Sequence, residues 1–236
     1  MTPKFFPPAD SADEQGLVMI GGDLSAERLL DAYAHGIFPW PMWDDWLPMT
    51  WFSLDPRAII ELDGLHISRR LARTLRSGQF TATCDQAFAD VMRGCSRRRK
   101  SGDGTWITPH MFKAFCNLHE EGHAHSIEVW QGEELAGGIY GVSVGGAFAG
   151  ESMFHEVTDA SKVALATLIA HLNVRGYQLF DIQQWTPHTG RMGASEISRR
   201  IYLQRLAEAV RLPVQFGGEL EFAAADIPQI LASLPE

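Results

Sequence analysis

The stretch from Ser126 to Gln183 constrains the fold more than any other part of the chain, because strand and helix patterns follow one another there with short breaks. Three segments carry strand patterns, and the last two predict a hairpin about Gly145-Gly146. Apolar residues with helical spacing then run from Asp159 to Arg175 and stop at Gly176. A short apolar strand at Leu179–Gln183 closes the series.

Elsewhere, helices are expected wherever a capping residue precedes an apolar stripe. They are predicted from Ser25 to His35, Ser68 to Ser77, Asp85 to Gly94, Thr108 to Glu121 and Ser195 to Val210. Strands and helices in this order predict an α+β fold with a mixed sheet flanked by helices. The first third, punctuated by Pro and Trp, indicates a small N-terminal domain over residues 1–63, followed by a larger domain over residues 64–236.

Charge is distributed unevenly along the chain. The 236 residues carry a formal net charge of −9, yet nine Lys and Arg against two acids lie between His66 and Lys100. This basic segment predicts a local polyanion site, with a solvated helix face and charged loop as the alternative. Four arginines of the predicted helix lie largely on one face: Arg69, Arg70, Arg73 and Arg76.

Several classes of protein are disfavoured. No apolar run approaches the roughly 18 residues of a membrane span, and the N-terminus lacks the layout of a signal peptide, so we expect a cytoplasmic protein without membrane partners. With 45% hydrophobic residues the chain is too apolar to be disordered. The spacing of Cys84, Cys95 and Cys116 matches no zinc framework.

Two motifs match known signatures in unsuitable local contexts. His119-Glu-Glu-Gly-His123 has the spacing of a zinc peptidase, but Gly122 is expected to end the helix before the second imidazole. The glycines between Ala136 and Gly146 lie in strands and a turn, not before a helix, so they predict close approach of a ligand or backbone and not a phosphate cradle.

Polar side chains on apolar strands are the candidate catalytic groups. Glu151 and Ser152 end one hairpin strand, while Asp181 and Gln183 lie two apart on another strand and should face the same way. Burial of such groups is costly unless they are partnered or functional. A purely structural polar network is the alternative.

Taken in order, short motifs from about residue 5 to about residue 205 resemble those of the leucyl/phenylalanyl-tRNA–protein transferases. They include Gly36-Ile-Phe-Pro-Trp40, Trp51-Phe-Ser-Leu-Asp-Pro-Arg57-Ala, Gly104-Thr-Trp106, Gly150-Glu-Ser-Met-Phe and His188-Thr. The resemblance implies an acetyltransferase-like (GNAT-like) larger domain. It also implies transfer of Leu or Phe, and less well Met, from aminoacyl-tRNA to the N-terminal Arg or Lys of a protein, which marks that protein for N-end-rule degradation.

The resemblance also implies roles for particular residues. Trp40 and Trp106 would sandwich the terminal adenosine of the tRNA, and Glu151, Asp181 and Gln183 would line the reaction centre. The remaining substrate contacts would come from Ser152 and from an apolar donor pocket formed by Ile139, Met153, Leu165, Leu168, Leu172 and Phe180. The four arginines would meet acceptor-stem phosphates, and neither a cofactor nor a metal is implied.

The expected chemistry is aminolysis of an ester. We expect the Gln183 carbonyl to accept a hydrogen bond from the attacking amine while Asp181 holds the Gln183 amide group, since an amide is too weak a base. Glu151 should favour a cationic group of the acceptor. The run from Arg97 to Lys100 is either a phosphate contact or a solvated loop. A coenzyme A acyltransferase and a non-catalytic RNA-binding module remain as alternative functions.

Overall fold

The computed structural model describes residues 2–41, 48–97 and 106–233. Within these residues the strands are β1 (Leu17–Ile20), β2 (Phe38–Pro39), β3 (Thr50–Phe52), β4 (Arg57–Ile60), β5 (Thr81–Cys84), β6 (Ala124–Gln131), β7 (Glu134–Val144), β8 (Ala147–His155), β9 (Leu179–Gln183) and β10 (Ala194–Ile197). The α-helices are α1 (Ala26–Ala34), α2 (Arg69–Arg76), α3 (Phe88–Ser96), α4 (Pro109–Glu120), α5 (Ala160–Arg175), α6 (Pro187–Gly190), α7 (Arg199–Ala209) and α8 (Ile227–Ala232).

The strands form two sheets. A three-stranded sheet has the order β1-β3-β2, and a seven-stranded sheet has the order β10-β4-β9-β8-β7-β6-β5. Strands β8 and β9 run parallel, whereas the other described neighbours in the large sheet are antiparallel. The predicted mixed sheet flanked by helices is therefore confirmed.

Helices cover both faces of the large sheet. The predicted apolar stripe of α5, including Leu165, Leu168 and Leu172, is buried in one cluster with residues of β6 to β9. On the other face, α3 and α4 share a second cluster with Leu29 of α1 and Trp51 of β3. The N-terminal sheet and helix thus pack into the same core as the large sheet.

Glycines in β7 let helices approach the sheet closely. A Cβ on Gly137 would lie 2.8 Å from the Cβ of Ala160, and one on Gly138 would lie 2.8 Å from a methyl group of Val91. The first contact belongs to α5 and the second to α3. The sequence predicted that a ligand or backbone would approach these glycines closely. The close approach is confirmed, and it is helices α3 and α5 that pack against them.

Helix boundaries were predicted best where a hydroxyl caps the helix. Ser68 and Thr108 accept hydrogen bonds from the backbone N–H groups at the starts of α2 and α4. The predicted start of the last long helix, at Ser195, is too early, because residues 194–197 form the edge strand β10. Helix α7 starts after Ser198, whose hydroxyl accepts from the backbone N–H of Ile201.

The helices predicted to begin at Asp85 and Asp159 are not capped by the side chains of these residues. Asp85 and Asp159 have backbone φ angles of 57° and 70°, and neither side chain caps a helix. The Asp85 carboxylate accepts a hydrogen bond from His125 instead, at 2.6 Å, and α3 begins only at Phe88. Asp159 does precede α5, but its carboxylate pairs with Arg70. Tertiary partners outcompete local capping at both positions.

The boundary between residues 63 and 64 stays a prediction. The three-stranded sheet uses residues 17–52, whereas Arg57–Ile60 already belongs to the large sheet. Among the described residues, no helix combines the length and the apolar character needed to span a membrane.

Adding a methyl group at Gly137 should disturb the packing of α5 on the sheet. We expect Gly137→Ala to lower the free energy of unfolding by about 1–3 kcal/mol, because overpacking forces backbone shifts. Gly218→Ala is the control, since a Cβ there would have no neighbour within 4 Å. Urea unfolding measures both variants, and equal stability of the two would contradict the packing account.

Candidate active site

The polar site lies where the two parallel strands of the sheet part. The paired residues of β8 and β9 end at Ala149 and Asp181. Beyond this point the Gln183 side-chain amide donates a hydrogen bond to Oε1 of Glu151 across the gap, at 3.0 Å. The structure therefore brings together the three residues that the sequence marks as candidate catalytic groups.

Asp181 is buried and its carboxylate accepts four hydrogen bonds. Arg57 donates two of them, from Nε to Oδ1 at 2.9 Å and from Nη2 to Oδ2 at 2.6 Å. The Tyr202 hydroxyl donates to Oδ2 at 2.8 Å, and the backbone N–H of Gln183 donates to Oδ1 at 2.9 Å. Both oxygens of the Asp181 carboxylate are therefore occupied by hydrogen-bond donors.

The expected link from Asp181 to the Gln183 side chain was wrong. Asp181 holds the backbone of Gln183, and Glu151 holds its side-chain amide. The reason is the backbone: Gln183 has a φ of 56°, in the left-handed region that side chains seldom adopt, so the alternation of an ideal strand ends there. Its Oε1 has no hydrogen-bond partner among the described residues, which leaves it available to a substrate.

Arg57 is a residue of the polar site that sequence reasoning missed. It is 1% exposed, it donates from Nη1 to the carbonyl of Gly36 at 3.1 Å, and its guanidinium lies 4.8 Å from the ring of Phe38 and 4.5 Å from that of Tyr202. Burial acts to lower the pKa of Arg57, but attraction to Asp181, Tyr202 and Glu151, together with the hydrogen bonds to Asp181, outweighs burial and raises it, so the guanidinium stays charged. An arginine beside the apolar run of β4 was the available signal, since such a charge needs a partner.

Glu151 differs electrostatically from Asp181. The residue retains some exposure, but its carboxyl group is enclosed, and this burial raises its pKa from 4.5 to about 8, with repulsion from Asp181 adding to the effect. The nearby Tyr33 hydroxyl opposes the shift, although it makes no hydrogen bond of good geometry. At neutral pH most molecules therefore carry a neutral Glu151, which attracts a cation only weakly.

The two tryptophans predicted to bind adenosine lie together. The rings of Trp40 and Trp106 stack with centroids 5.2 Å apart and an interplanar angle of 18°. A base between them needs roughly 7 Å, or two layers of van der Waals contact, so the predicted sandwich requires the rings to separate. Trp40 is 39% exposed, and its backbone N–H donates to the carbonyl of Thr50.

The six residues predicted for the donor pocket belong to one apolar cluster. Five are buried, namely Ile139, Leu165, Leu168, Leu172 and Phe180, and Met153 is partly exposed at the edge of the cluster. Ser152, also partly exposed, lies between Met153 and Glu151 on β8. Among the six predicted residues, the one that remains partly accessible is thus two positions from Glu151 on the same strand.

The basic helix α2 exposes the predicted face. Leu71 and Leu75 are buried beneath it, whereas all four arginines are exposed: Arg69, Arg70, Arg73 and Arg76. Arg70 pairs with Asp159 at 2.9 Å, and the other three make no ion pair with any described residue. Arg97 pairs with Glu156 at 2.6 Å, and the rest of the run to Lys100 lies outside the described residues.

The zinc-peptidase spacing does not produce a shared metal position. Helix α4 ends at Glu120, and Gly122 has a φ of 81°, so the two histidines do not lie on one continuous turn. The His119 ring instead stacks on Phe88, with centroids 4.3 Å apart. Within the part of the chain that the structure describes, no group of three or more His, Cys, Asp or Glu residues could hold a metal ion.

Two family models match the chain. Leucyl/phenylalanyl-tRNA protein transferase covers residues 59–207, and the N-terminal domain of the same family covers residues 22–55. The chain belongs to this family. It is therefore a transferase, and the alternative interpretations as a coenzyme A acyltransferase or an RNA-binding module are set aside.

Relatives match over nearly the whole chain. A leucyl/phenylalanyl-tRNA–protein transferase of Anaeromyxobacter sp. is 50% identical over 94% of this chain and 94% of its own length. One of Magnetococcus marinus is 48% identical over 90% and 91%. A solved structure of L-PGS from Bacillus licheniformis has 14% identity and a TM-score of 0.39, covering 55% of this chain and 46% of its own, which is too remote to carry a conclusion.

The raised pKa of Glu151 predicts a dependence of stability on pH. In the unfolded chain this carboxyl ionises near 4.5 and in the folded protein near 8, so folding retains a proton between these values. The stability that goes with the neutral form is fully present below about pH 4.5 and is lost as pH rises through about 8.

Glu151→Gln removes this titration but keeps an acceptor for Gln183. We expect the variant to gain about 1–3 kcal/mol over the parent on going from about pH 5 to about pH 9, after allowance for residual solvent access. Urea unfolding at both pH values measures the difference. A difference that does not change with pH would show that Glu151 ionises normally.

Proposed function

We propose that this protein transfers Leu or Phe, and less readily Met, from aminoacyl-tRNA to the N-terminal Arg or Lys of a protein, which marks that protein for N-end-rule degradation. The observation that carries the proposal is the arrangement of Gln183: Asp181 fixes its backbone, Glu151 fixes its amide, and its carbonyl oxygen accepts no hydrogen bond from the described residues. An oriented acceptor of this kind suits an attacking amine. Family membership supplies the class of substrates.

Donor recognition combines stacking with phosphate contacts. Stacking of a base on an aromatic ring contributes about 1–3 kcal/mol without reading sequence, which suits the CCA end that all tRNAs share. We assign this role to Trp40 and Trp106, whose rings stack on each other and would separate to admit the base. The exposed face of α2 (Arg69–Arg76) supplies phosphate contacts to the acceptor stem, and such contacts position a nucleic acid without specifying its sequence.

The donor side chain is recognised by apolar contact. The cluster that includes Ile139, Leu168 and Phe180 is apolar, and Met153 packs against it as a partly buried residue next to the polar site. An apolar pocket discriminates by only about 1–3 kcal/mol per methylene. Acceptance of Leu, Phe and Met by one pocket follows from that limit.

The transfer step is attack of the acceptor α-amine on the ester carbonyl of the donor. The amine has an ordinary pKa of about 7.7–8.0, so part of it is already neutral near pH 7. Gln183 Oε1 accepts a hydrogen bond from the amine and orients its lone pair toward the ester carbon. A C–N bond forms, the ester C–O bond breaks, and the departing ribose oxygen takes the proton that the amine releases.

The charges of the site favour a neutral nucleophile. Arg57 and Asp181 neutralise each other, and Glu151 is mostly protonated at neutral pH. The centre therefore offers little attraction to an ammonium ion and does not hold the amine in its unreactive form. Proximity and orientation then supply most of the rate.

The proposal extends to the fold and the location of the protein. We assign residues 64–236 to a GNAT-like domain and residues 1–63 to a small N-terminal domain, in a cytoplasmic protein. Support comes from the mixed sheet, with a parallel pair of strands that parts at the polar site, and from the separate family models for residues 22–55 and 59–207.

The test of function is transfer of labelled Leu from Leu-tRNA to a peptide that begins with Arg. We expect transfer to this peptide and to a Lys peptide, and none to an otherwise identical peptide that begins with Gly. Equal labelling of the Gly peptide would refute the acceptor specificity. Absence of transfer to any peptide would refute the function.

Removal of the stacking rings should weaken donor binding. Trp40→Ala and Trp106→Ala should each reduce the affinity for a non-hydrolysable aminoacyl-adenosine analogue by about tenfold, as loss of one stacking contact predicts. Trp130→Ala is the control, because Trp130 lies on β6 (Ala124–Gln131) and bonds to Thr83 of β5 (Thr81–Cys84). Unchanged affinity in both test variants would assign these rings to packing alone.

Gln183→Glu separates an orienting group from a base. The new carboxylate would face Glu151 at about 3 Å, so the two would share a proton and one pKa would rise. Because Glu151 already carries a proton at neutral pH, the shared proton is present there, and the orienting role predicts partial activity near pH 7 that falls as the pH rises and this proton leaves. A rate–pH profile with full activity at pH 7 would instead place residue 183 in the proton path.

A further inference from the structure

We propose that Arg57 is a positioning residue for the transfer reaction, one that couples the segment carrying Trp40 to the catalytic end of β9 (Leu179–Gln183). The proposal rests on the proposed function, because it takes Trp40 as a donor contact and Gln183 as the orienting acceptor. The motif Asp55-Pro-Arg57-Ala marks this residue in the sequence.

One guanidinium contacts both parts of the site. On one side, Nε and Nη2 bind the two oxygens of Asp181, whose Oδ1 also fixes the backbone of Gln183. On the other side, Nη1 binds the carbonyl of Gly36, four residues before Trp40. Asp181 and the Gly36 carbonyl therefore share one rigid partner.

The segment between Gly36 and Trp40 is held along its length. The ring of Phe38 lies against the guanidinium at 4.8 Å. Phe38 and Pro39 form the short strand β2, which pairs with β3 (Thr50–Phe52), and the Trp40 backbone donates to Thr50. A displacement of the Gly36 carbonyl would therefore be passed to the Trp40 ring through a short, hydrogen-bonded path.

Only arginine has the geometry for these contacts. Its planar fork presents donors in several fixed directions, whereas a lysine ammonium is a compact charge that cannot bind Asp181 bidentately and also reach Gly36. The interaction is not explained by stability alone, since a buried ion pair is often no more stabilising than well-packed apolar residues of the same volume. Positioning accounts for a charged residue that is 1% exposed at the start of β4 (Arg57–Ile60).

Loss of Arg57 should therefore affect Trp40 and Gln183, two residues with which its side chain makes no hydrogen bond. The Trp40 segment would lose its anchor, which weakens donor binding. Asp181 would lose the two hydrogen-bond donors that Arg57 supplies, so it would hold the Gln183 backbone less firmly. A residue that only stabilised the fold would change the folded fraction and leave both properties of the folded molecules intact.

The test compares Arg57→Lys and Tyr202→Phe with Arg205→Lys as the matched control. Arg205 also forms a bidentate pair with a carboxylate, that of Glu61, at 2.6 Å for both contacts, but at a partly exposed position. Tyr202→Phe removes one donor to Asp181 and keeps the ring that lies against Arg57. Affinity for an aminoacyl-adenosine analogue, kcat at several pH values and near-UV circular dichroism are measured for each.

We expect Arg57→Lys to weaken analogue binding by about fivefold or more and to lower kcat by about tenfold or more. Tyr202→Phe should lower kcat but leave analogue affinity unchanged, because it does not contact Gly36 through a hydrogen bond. Arg205→Lys should change neither quantity.

A folded Arg57→Lys variant with parental affinity and parental kcat would overturn the proposal. If Arg57→Lys does not fold, Tyr202→Phe decides, and an unchanged kcat and pH profile for that variant would overturn the proposal equally. Failure of the parent protein to transfer any amino acid would refute the proposed function instead. In that case the affinity of Arg57→Lys for the analogue, compared with that of the parent, would test the positioning role by itself.

Discussion

The buried ion pair between Arg57 and Asp181 is the interaction on which the polar site depends. Asp181 lies in a sheet whose two faces are covered by apolar helices, and its charge is tolerated there because Arg57, Tyr202 and the Gln183 backbone occupy both carboxylate oxygens. The same contacts end the regular strand and hold Gln183 in a left-handed conformation. Strain of this kind persists only where surrounding contacts determine it, and it is common at functional sites.

This ion pair explains why the two acidic groups of the site, Asp181 and Glu151, differ from each other. Both carboxylate oxygens of Asp181 are occupied by donors, whereas burial raises the pKa of Glu151 to about 8 and keeps most of it neutral at pH 7. Neither carboxyl group is arranged to remove a proton from the attacking amine. The Asp181 oxygens already accept hydrogen bonds, and Glu151 already carries a proton in most molecules at neutral pH. Aminolysis of an activated ester does not require a strong base, since a neutral amine and a departing ribose oxygen can exchange the proton between them.

Much of this architecture could be predicted from local sequence pattern. The stripe of α5 (Ala160–Arg175), the hydroxyl caps at Ser68 and Thr108 and the apolar strand that ends at Gln183 all depend on neighbours within a few residues, and all were confirmed. The gathering of Glu151, Asp181 and Gln183 was also expected. Family motifs carried that expectation further than periodicity alone.

The remaining features depend on residues far apart in the chain. Arg57 pairs with Asp181, which is 124 positions away in the sequence. The Asp85 carboxylate bonds to His125, 40 positions away, and does not cap a helix. Strand β10 (Ala194–Ile197) exists because it pairs with β4 (Arg57–Ile60), which no local pattern encodes. The left-handed Gln183 and the raised pKa of Glu151 likewise arise from tertiary contacts and burial.

In the proposed mechanism, Asp181 and Glu151 hold Gln183 so that its carbonyl oxygen orients the attacking amine. A crystal structure with a non-hydrolysable phenylalanyl-adenosine analogue and an Arg-starting peptide tests this arrangement directly. We expect the Gln183 amide still to donate to Glu151 and Oε1 to lie within about 3.2 Å of the peptide α-amine. A Gln183 side chain released from Glu151, or an amine bound directly to Asp181, would contradict it.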